Sequence, residues 1–302
     1  MVVAAILQHR SPLALGNVMG STISNILGAF SLGLLFYPQG VEFDRSAKIY
    51  STLLFVVTTL FVLLAFFSQL NQTVGGVLIA IFAFYIVSII YTIYKGVALP
   101  SELSDSDNDG ESSDHDDGDD GEFNHASISE TSPLIENEHA PSLTDKGTRR
   151  SRGIFYHIFQ LLLGFISLSL SGYILSHSAV TIAESLHLSG TVFGLTVVSF
   201  ATTLPEKLVA ILSGSRGYGD IMAATTAGSN VFLLTLCIGV VAAAGYHVPE
   251  ADNFVLFELV AVWVSSLGFC AVIFLGLGRN AGVVLLVAYL VFLCLEFTVY
   301  RR

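Results

Sequence analysis

Apolar runs long enough to cross a bilayer recur along this chain, and that recurrence limits its fold more than any other feature. About 20 consecutive apolar residues carry a helix through the hydrocarbon core. Eight such runs are present, at 12–36, 49–68, 73–94, 153–177, 189–213, 219–245, 253–277 and 280–300. They are continuously apolar and rich in Leu, Phe, Ile and Val, without the alternation a transmembrane barrel requires. In lipid each backbone polar group has to be satisfied within its own segment, so the runs predict helices. Only 12% of the residues are charged, where an ordinary soluble domain has about 25%. Residues 1–9 form a ninth apolar stretch, too short to span. It has no basic leading region and no small-residue cleavage site, so it reads as the back half of a spanning helix rather than a signal peptide. The expected fold is an all-α integral membrane protein of about eight full transmembrane helices plus an N-terminal part-helix.

The net charge of −11 sits in one segment. Residues 101–152 hold 15 acids against Lys146, Arg149, Arg150 and Arg152, and the rest of the chain is neutral. This Ser-, Asp- and Gly-rich stretch is almost free of aromatics and cannot bury enough apolar surface to offset its ordering entropy, so it reads as a disordered loop. It divides the chain into a first half at 1–100 and a second at 153–302. With the loop placed in the cytoplasm, Arg45, Lys48, Lys95, Arg216, Arg279 and the loop's own bases all fall inside, and only Arg10, Arg301 and Arg302 fall outside. The halves then enter the membrane with opposite topology, as in transporters built from inverted repeats.

The stretch richest in chemistry is GLTVVSFATTLPE, residues 194–206. Pro205 lacks an N–H and breaks the helix inside a spanning run. Thr202 and Thr203 add hydroxyls, Ser199 lies one turn earlier, and Glu206 adds a negative charge. Carboxylate, carbonyl and hydroxyl oxygens are the set that hard cations such as Ca²⁺ and Na⁺ take. A glutamate in mid-membrane costs roughly 2.5–3.5 kcal/mol on insertion scales, which makes it a functional candidate. The plainer reading is a proline kink whose glutamate pairs with Lys207. The next run carries Ala-Gly-Ser229-Asn230 on a small-residue surface that lets helices approach closely. In the first half, GNVMGSTISN puts Asn17, Ser21 and Asn25 at spacings of four, on one helical face.

GLTVVSFATTLPEK followed by AGSN resembles the second repeat of the sodium/calcium exchanger family, and PLALGNVMGSTISNILG resembles the back half of its first repeat. The resemblance implies two inverted five-helix halves and alternating access at a midplane site. It implies Glu206 as the second-repeat carboxylate and ligand to Ca²⁺, flanked by Thr202, Thr203 and Ser199. Ser229, Ser21 and Asn25 are implied as ligands on partner helices, with Asn17 and Asn230 as further candidates. The implied cargo is Ca²⁺ against Na⁺ or another monovalent cation such as K⁺ or H⁺; no cofactor and no nucleic acid are implied. Two departures stand out. Aligning the Gly-Ser pairs places the counterpart of Glu206 just ahead of Met1, so the first half is expected to lack its first helix and the start of its second. Leu233 stands where the family often has Asn or Asp.

Smaller signals are consistent with this reading. DSDNDGESSDHD, residues 105–116, places Asp105, Asp107 and Asp109 at the spacing of a Ca²⁺-binding EF-hand loop. Asp116 stands where Glu is wanted, and no amphipathic helices flank it. Glu130 with Leu134-Ile135 resembles an acidic dileucine sorting signal and tilts the expectation to a vacuolar or endolysosomal membrane. Cys237, Cys270 and Cys294 lie inside apolar runs at no metal spacing and read as packing, as does Trp263. Glu258 and Glu296 are expected to snorkel from the span ends. No nucleophile elbow, phosphate loop or metalloprotease motif is present, so an enzyme is not expected. A non-transporting membrane scaffold is the alternative.

Overall fold

The computed structural model describes residues 11–38, 42–94, 145–185, 188–245 and 256–298, with Val2 and Ala5. The first helix described along its length, α1, is continuous through Ser11–Ile23, Ser24–Phe30 and Ser31–Phe36, the middle part wound as a π-helix. It is followed by α2 (Arg45–Phe66), α3 (Gln72–Tyr94), α4 (Asp145–Ser185), α5 (Gly190–Thr202), α6 (Leu204–Ser215), α7 (Gly219–Ala243), α8 (Leu256–Leu275) and α9 (Arg279–Thr298). Seven of these are long and apolar enough to cross a membrane, and the bent pair α5–α6 makes an eighth span. The chain has an all-helical integral membrane fold. The part-helix expected at 1–9 falls outside the described residues except for Val2 and Ala5, and the acidic candidates Asp105, Asp107 and Asp109 fall outside them entirely. Helix α4 begins at Asp145 rather than at 153, so the basic cluster lies on its first turns. Hydropathy marks where a helix enters lipid, not where it begins.

The chain forms two compact units, Met1–Ile89 with Ile166–Arg302, and Ile90–Phe165. The described residues of the second are helical, the end of α3 and the start of α4. Every residue of the candidate site belongs to the first.

Local chemistry sets the helix ends. Asn71 caps α3, its side-chain oxygen accepting from the Val74 N–H at 2.9 Å, and Ser189 caps α5 by accepting from the Val192 N–H at 3.2 Å. Gly217, at φ +79°, takes the left-handed turn between α6 and α7, and its carbonyl accepts from the Tyr37 hydroxyl at 2.7 Å.

Polarity is inverted relative to a soluble protein. In α1, 89% of the spanning window is buried, against 28% in α2. Yet α1 carries Asn17, Ser21, Thr22, Ser24, Asn25 and Ser31, all buried. The polar groups therefore face neighbouring helices rather than lipid. α1 crosses α5 at Gly16 and Gly20, and crosses α6 where Gly33 meets Gly214. The Phe30 ring meets Phe269 of α8 edge-on at 4.7 Å.

Two sequence expectations need correction. Glu258 and Glu296 do not reach the interface, since both are 0% exposed. Distance from a span end gives depth but not the helical face, and these faces turn inward. Trp263 does more than pack: its indole Nε1–H donates to Thr59 Oγ1 at 3.1 Å, with the Phe55 ring 5.7 Å away, joining α8 to α2. Trp263→Phe keeps the ring contact and loses the bond. It should cost about 0.6–1.5 kcal/mol in a reversible detergent-unfolding titration, and a cost near zero would mean the bond contributes nothing net.

Candidate functional site

The span made by α5 and α6 bends by 47° at Thr203, whose φ/ψ of −98°/11° is not helical. Pro205 explains the break: it removes the bond that residue 205 would donate to the Ala201 carbonyl, and it suits the first turn of the helix that follows. Glu206 thereby lies in the first turn of α6, where the helix dipole favours a negative charge.

Glu206 lines a small pocket between α1, α6 and α7 together with Asn25, Ala29, Met222, Thr226 and Ser229. The space admits about one water-sized particle. Glu206 Oε2 is buried there without a hydrogen-bond partner. Asn25, itself 2% exposed, donates from Nδ2 to Asn230 Oδ1 at 3.2 Å, and this leaves Asn25 Oδ1 buried and unpartnered. Buried polar atoms in native proteins are nearly always bonded, so two orphaned oxygens on residues lining one small pocket call for an occupant that accepts oxygen lone pairs. A desolvated cation does so. No group of three or more His, Cys, Asp or Glu that could hold a metal ion occurs among the described residues, and Glu206 is the one carboxylate lining the pocket. The mixed carboxylate, amide and hydroxyl donors suit a hard cation.

A second polar cluster adjoins the first. Ser24 and Lys207 are the chain neighbours of Asn25 and Glu206. Lys207 Nζ donates to Ser24 Oγ at 2.8 Å and to Thr203 Oγ1 at 2.5 Å, and lies 4.7 Å from the centre of the Phe200 ring. Ser24 Oγ is also 2.9 Å from Thr203 Oγ1 and 3.0 Å from the Tyr289 hydroxyl of α9.

The candidate residues thus separate into groups. Asn25, Glu206 and Ser229 line the pocket, and Asn230 holds Asn25 in place. Thr202 Oγ1 donates to Asn17 Oδ1 at 3.2 Å, away from the pocket wall. Thr203 turns to Lys207. Ser199 is fully buried and donates to the Leu195 carbonyl of its own helix. Ser21, on the buried face of α1, is not among the pocket lining. Sequence reading passed over Thr225, Thr226, Ser24 and Tyr289. The signal for the threonines was present, a Thr-Thr pair one turn before Ser229 on a helix already singled out. Nothing in the sequence marked Tyr289, which meets Ser24 from 265 residues away. The π-helical stretches Ser24–Phe30 and Leu233–Cys237 each begin within about one turn after a Gly-Ser pair, so α1 and α7 share a local plan. Such stretches often occur at functional sites.

The pattern of the family described as sodium/calcium exchanger protein matches residues 1–91 and 156–298. An uncharacterized membrane protein of Methanocaldococcus jannaschii is 25% identical over 286 residues, 94% of this chain and 76% of that protein. The sodium/calcium exchanger MaX1 of Methanosarcina acetivorans is 29% identical over 154 residues, 49% of this chain and 43% of its own length. This chain spans 61% of the CaxA protein of Alkalimonas amylolytica, at 26% identity. Among solved structures, native YfkE superposes with a TM-score of 0.62 at 18% identity, covering 98% of this chain and 78% of that one. The sodium-calcium exchanger NCX_Mj superposes at 0.59, also at 18% identity, covering 97% and 80%. With the family pattern matched across both halves, the chain belongs to the sodium/calcium exchanger protein family.

Proposed function

We propose that this protein is a cation antiporter. It exchanges Ca²⁺ for Na⁺, or for another monovalent cation such as K⁺ or H⁺, by alternating access at the pocket lined by Asn25, Glu206 and Ser229. The observation that carries the reading is the pair of unpartnered buried oxygens, Glu206 Oε2 and Asn25 Oδ1, at a break in a spanning helix. An ion there exchanges its water for carboxylate, amide and hydroxyl oxygens. Family membership and the exchanger name borne by MaX1 support this cargo. The bend at Thr203 supplies a joint at which α5 and α6 can move against α1. The Glu130–Ile135 pattern supports an endomembrane address.

The test is uptake of radioactive Ca²⁺ by proteoliposomes preloaded with Na⁺, K⁺ or buffered acid, diluted into media lacking the loaded ion. Uptake driven by one outward gradient and dissipated by an ionophore for that ion is expected. Absence of uptake under all three gradients, with the native protein inserted and monodisperse, would overturn antiport and favour a non-transporting membrane role.

A further inference from the structure

Lys207 has no place in the pocket described above, and it is the one lysine or arginine within the described residues that is buried inside a spanning segment. It is 6% exposed, and its acceptors Ser24 and Thr203 are 0% and 3% exposed. A charged side chain this deep requires compensation. Its ammonium carries three N–H groups. They meet Ser24 Oγ at 2.8 Å, Thr203 Oγ1 at 2.5 Å and the Thr203 carbonyl at 3.5 Å, with the Phe200 ring face alongside. Thr203 Oγ1 donates its own proton to the Ser199 carbonyl at 2.7 Å, which leaves its lone pairs to the ammonium. The Tyr289 hydroxyl, 3.0 Å from Ser24 Oγ, closes the shell from α9. Every acceptor is an uncharged oxygen. The shell is drawn from the π-helical part of α1, the break between α5 and α6, and α9.

A neutral cage of hydroxyl and carbonyl oxygens is also the donor set of a bound alkali-metal ion. We propose that the cage is a monovalent-cation site permanently filled by the protein's own lysine: the Lys207 ammonium stands in for one transported monovalent cation. The inference rests on the antiport reading of the neighbouring pocket. The two sites adjoin along the chain, since Ser24 and Asn25 are consecutive on α1, and Lys207 follows Glu206 on α6. Any cation entering the pocket therefore meets a positive charge that never leaves. The exchange cycle then needs one fewer monovalent ion than it would with the cage empty.

The experiment measures binding of radioactive Na⁺ to the purified protein in detergent, across a Na⁺ titration, with K⁺ and Li⁺ as competitors. Lys207→Ala removes the tethered charge and keeps every cage oxygen. It should bind one more Na⁺ per chain than the parent, and the Na⁺ dependence of Ca²⁺ exchange should steepen by about one Hill unit. Adding Ser24→Ala and Thr203→Val to Lys207→Ala should remove the extra ion. Lys207→Met fills the same volume without charge or oxygen and should gain none. If Lys207→Ala does not fold, Lys207→Ser, equally short, leaves the cage open and is read in the same way. Unchanged Na⁺ stoichiometry and steepness in a folded variant would overturn the proposal and make Lys207 a strut between helices. A parent that neither binds nor exchanges ions, beside a Lys207→Ala chain that gains one Na⁺, would remove the antiport reading and leave the cage standing.

Discussion

Glu206→Gln is expected to weaken Ca²⁺ binding by roughly 30-fold to several-thousand-fold while leaving the protein folded. The range follows from the cost of removing one partner from a buried charge pair, about 2–5 kcal/mol, with each 1.4 kcal/mol worth about tenfold in affinity. Glutamine keeps the shape of the side chain and one of its oxygens, so the change is mainly one of charge. Glu206 Oε2 makes no hydrogen bond, so the amide breaks none at that atom. The Coulomb energy scales with the charge on the ion. Ca²⁺ should therefore lose more affinity than Na⁺, and discrimination between them should fall. Thermal stabilisation of the purified protein by each ion, titrated separately, reads both effects. Equal Ca²⁺ stabilisation of parent and variant would remove Glu206 from the site, and equal losses for both ions would indicate a collapsed pocket rather than a missing charge.

The parts legible in the sequence were those governed by local rules. Span lengths follow from the thickness of the bilayer, and the break at Thr203 follows from Pro205, two residues on. The pocket was half legible. Asn25, Glu206 and Ser229 were marked by being polar where the surroundings are apolar. The same criterion also selected Ser199 and Thr203, which the structure turns elsewhere, because polarity in a spanning run says that a partner exists and not which one. Ser199 is partnered by its own helix, and Thr203 by the lysine one turn on. Lys207 beside Glu206 invited an ion pair, whereas adjacent residues on a helix point about 100° apart and here face different neighbours. Glu258 and Glu296 failed for a related reason, since depth is written in the sequence and azimuth is set only when helices pack. Tyr289 was beyond reach, because no periodicity links it to Ser24 across the length of the chain.

The two polar clusters lie just beyond the close crossing of α1 and α5. Ser24 and Asn25 follow directly on the part of α1 that lies against α5, and Glu206 and Lys207 follow the end of α5. Whatever fixes the separation of α1 and α5 fixes the distance across both clusters. The bond from Thr202 to Asn17, which spans the same crossing one residue before the break, is a local gauge of that separation. A pocket with room for about one water-sized particle tolerates little drift, because displacements near 1 Å can cost about 100-fold in function at a positioned site.

Gly20→Val should then be the most damaging single substitution at the crossing, costing at least about 3 kcal/mol. A Cβ at residue 20 would lie 2.6 Å from both the carbonyl carbon and the Cα of Leu195, closer than real side chains approach. The obstacle is backbone, so no rotamer change relieves it, and α1 and α5 must separate. Without a hydrophobic force between helices in lipid, close packing through small residues is much of what holds them, and a separated pair has little to draw it back. Solubilised Gly20→Val protein should melt at a lower temperature or elute as aggregate. Any folded fraction should lose ion-dependent stabilisation with it, because the Asn17–Thr202 contact and the pocket wall move together. Gly76→Ala is the matched control: it too lies in a spanning helix, but nothing stands within 4 Å of its Cβ position. Alanine there also favours the helix, so the melting temperature should hold or rise slightly. Equal tolerance at positions 20 and 76 would mean that the α1–α5 crossing is not held by the glycine contact, and that the two clusters owe their spacing to something else.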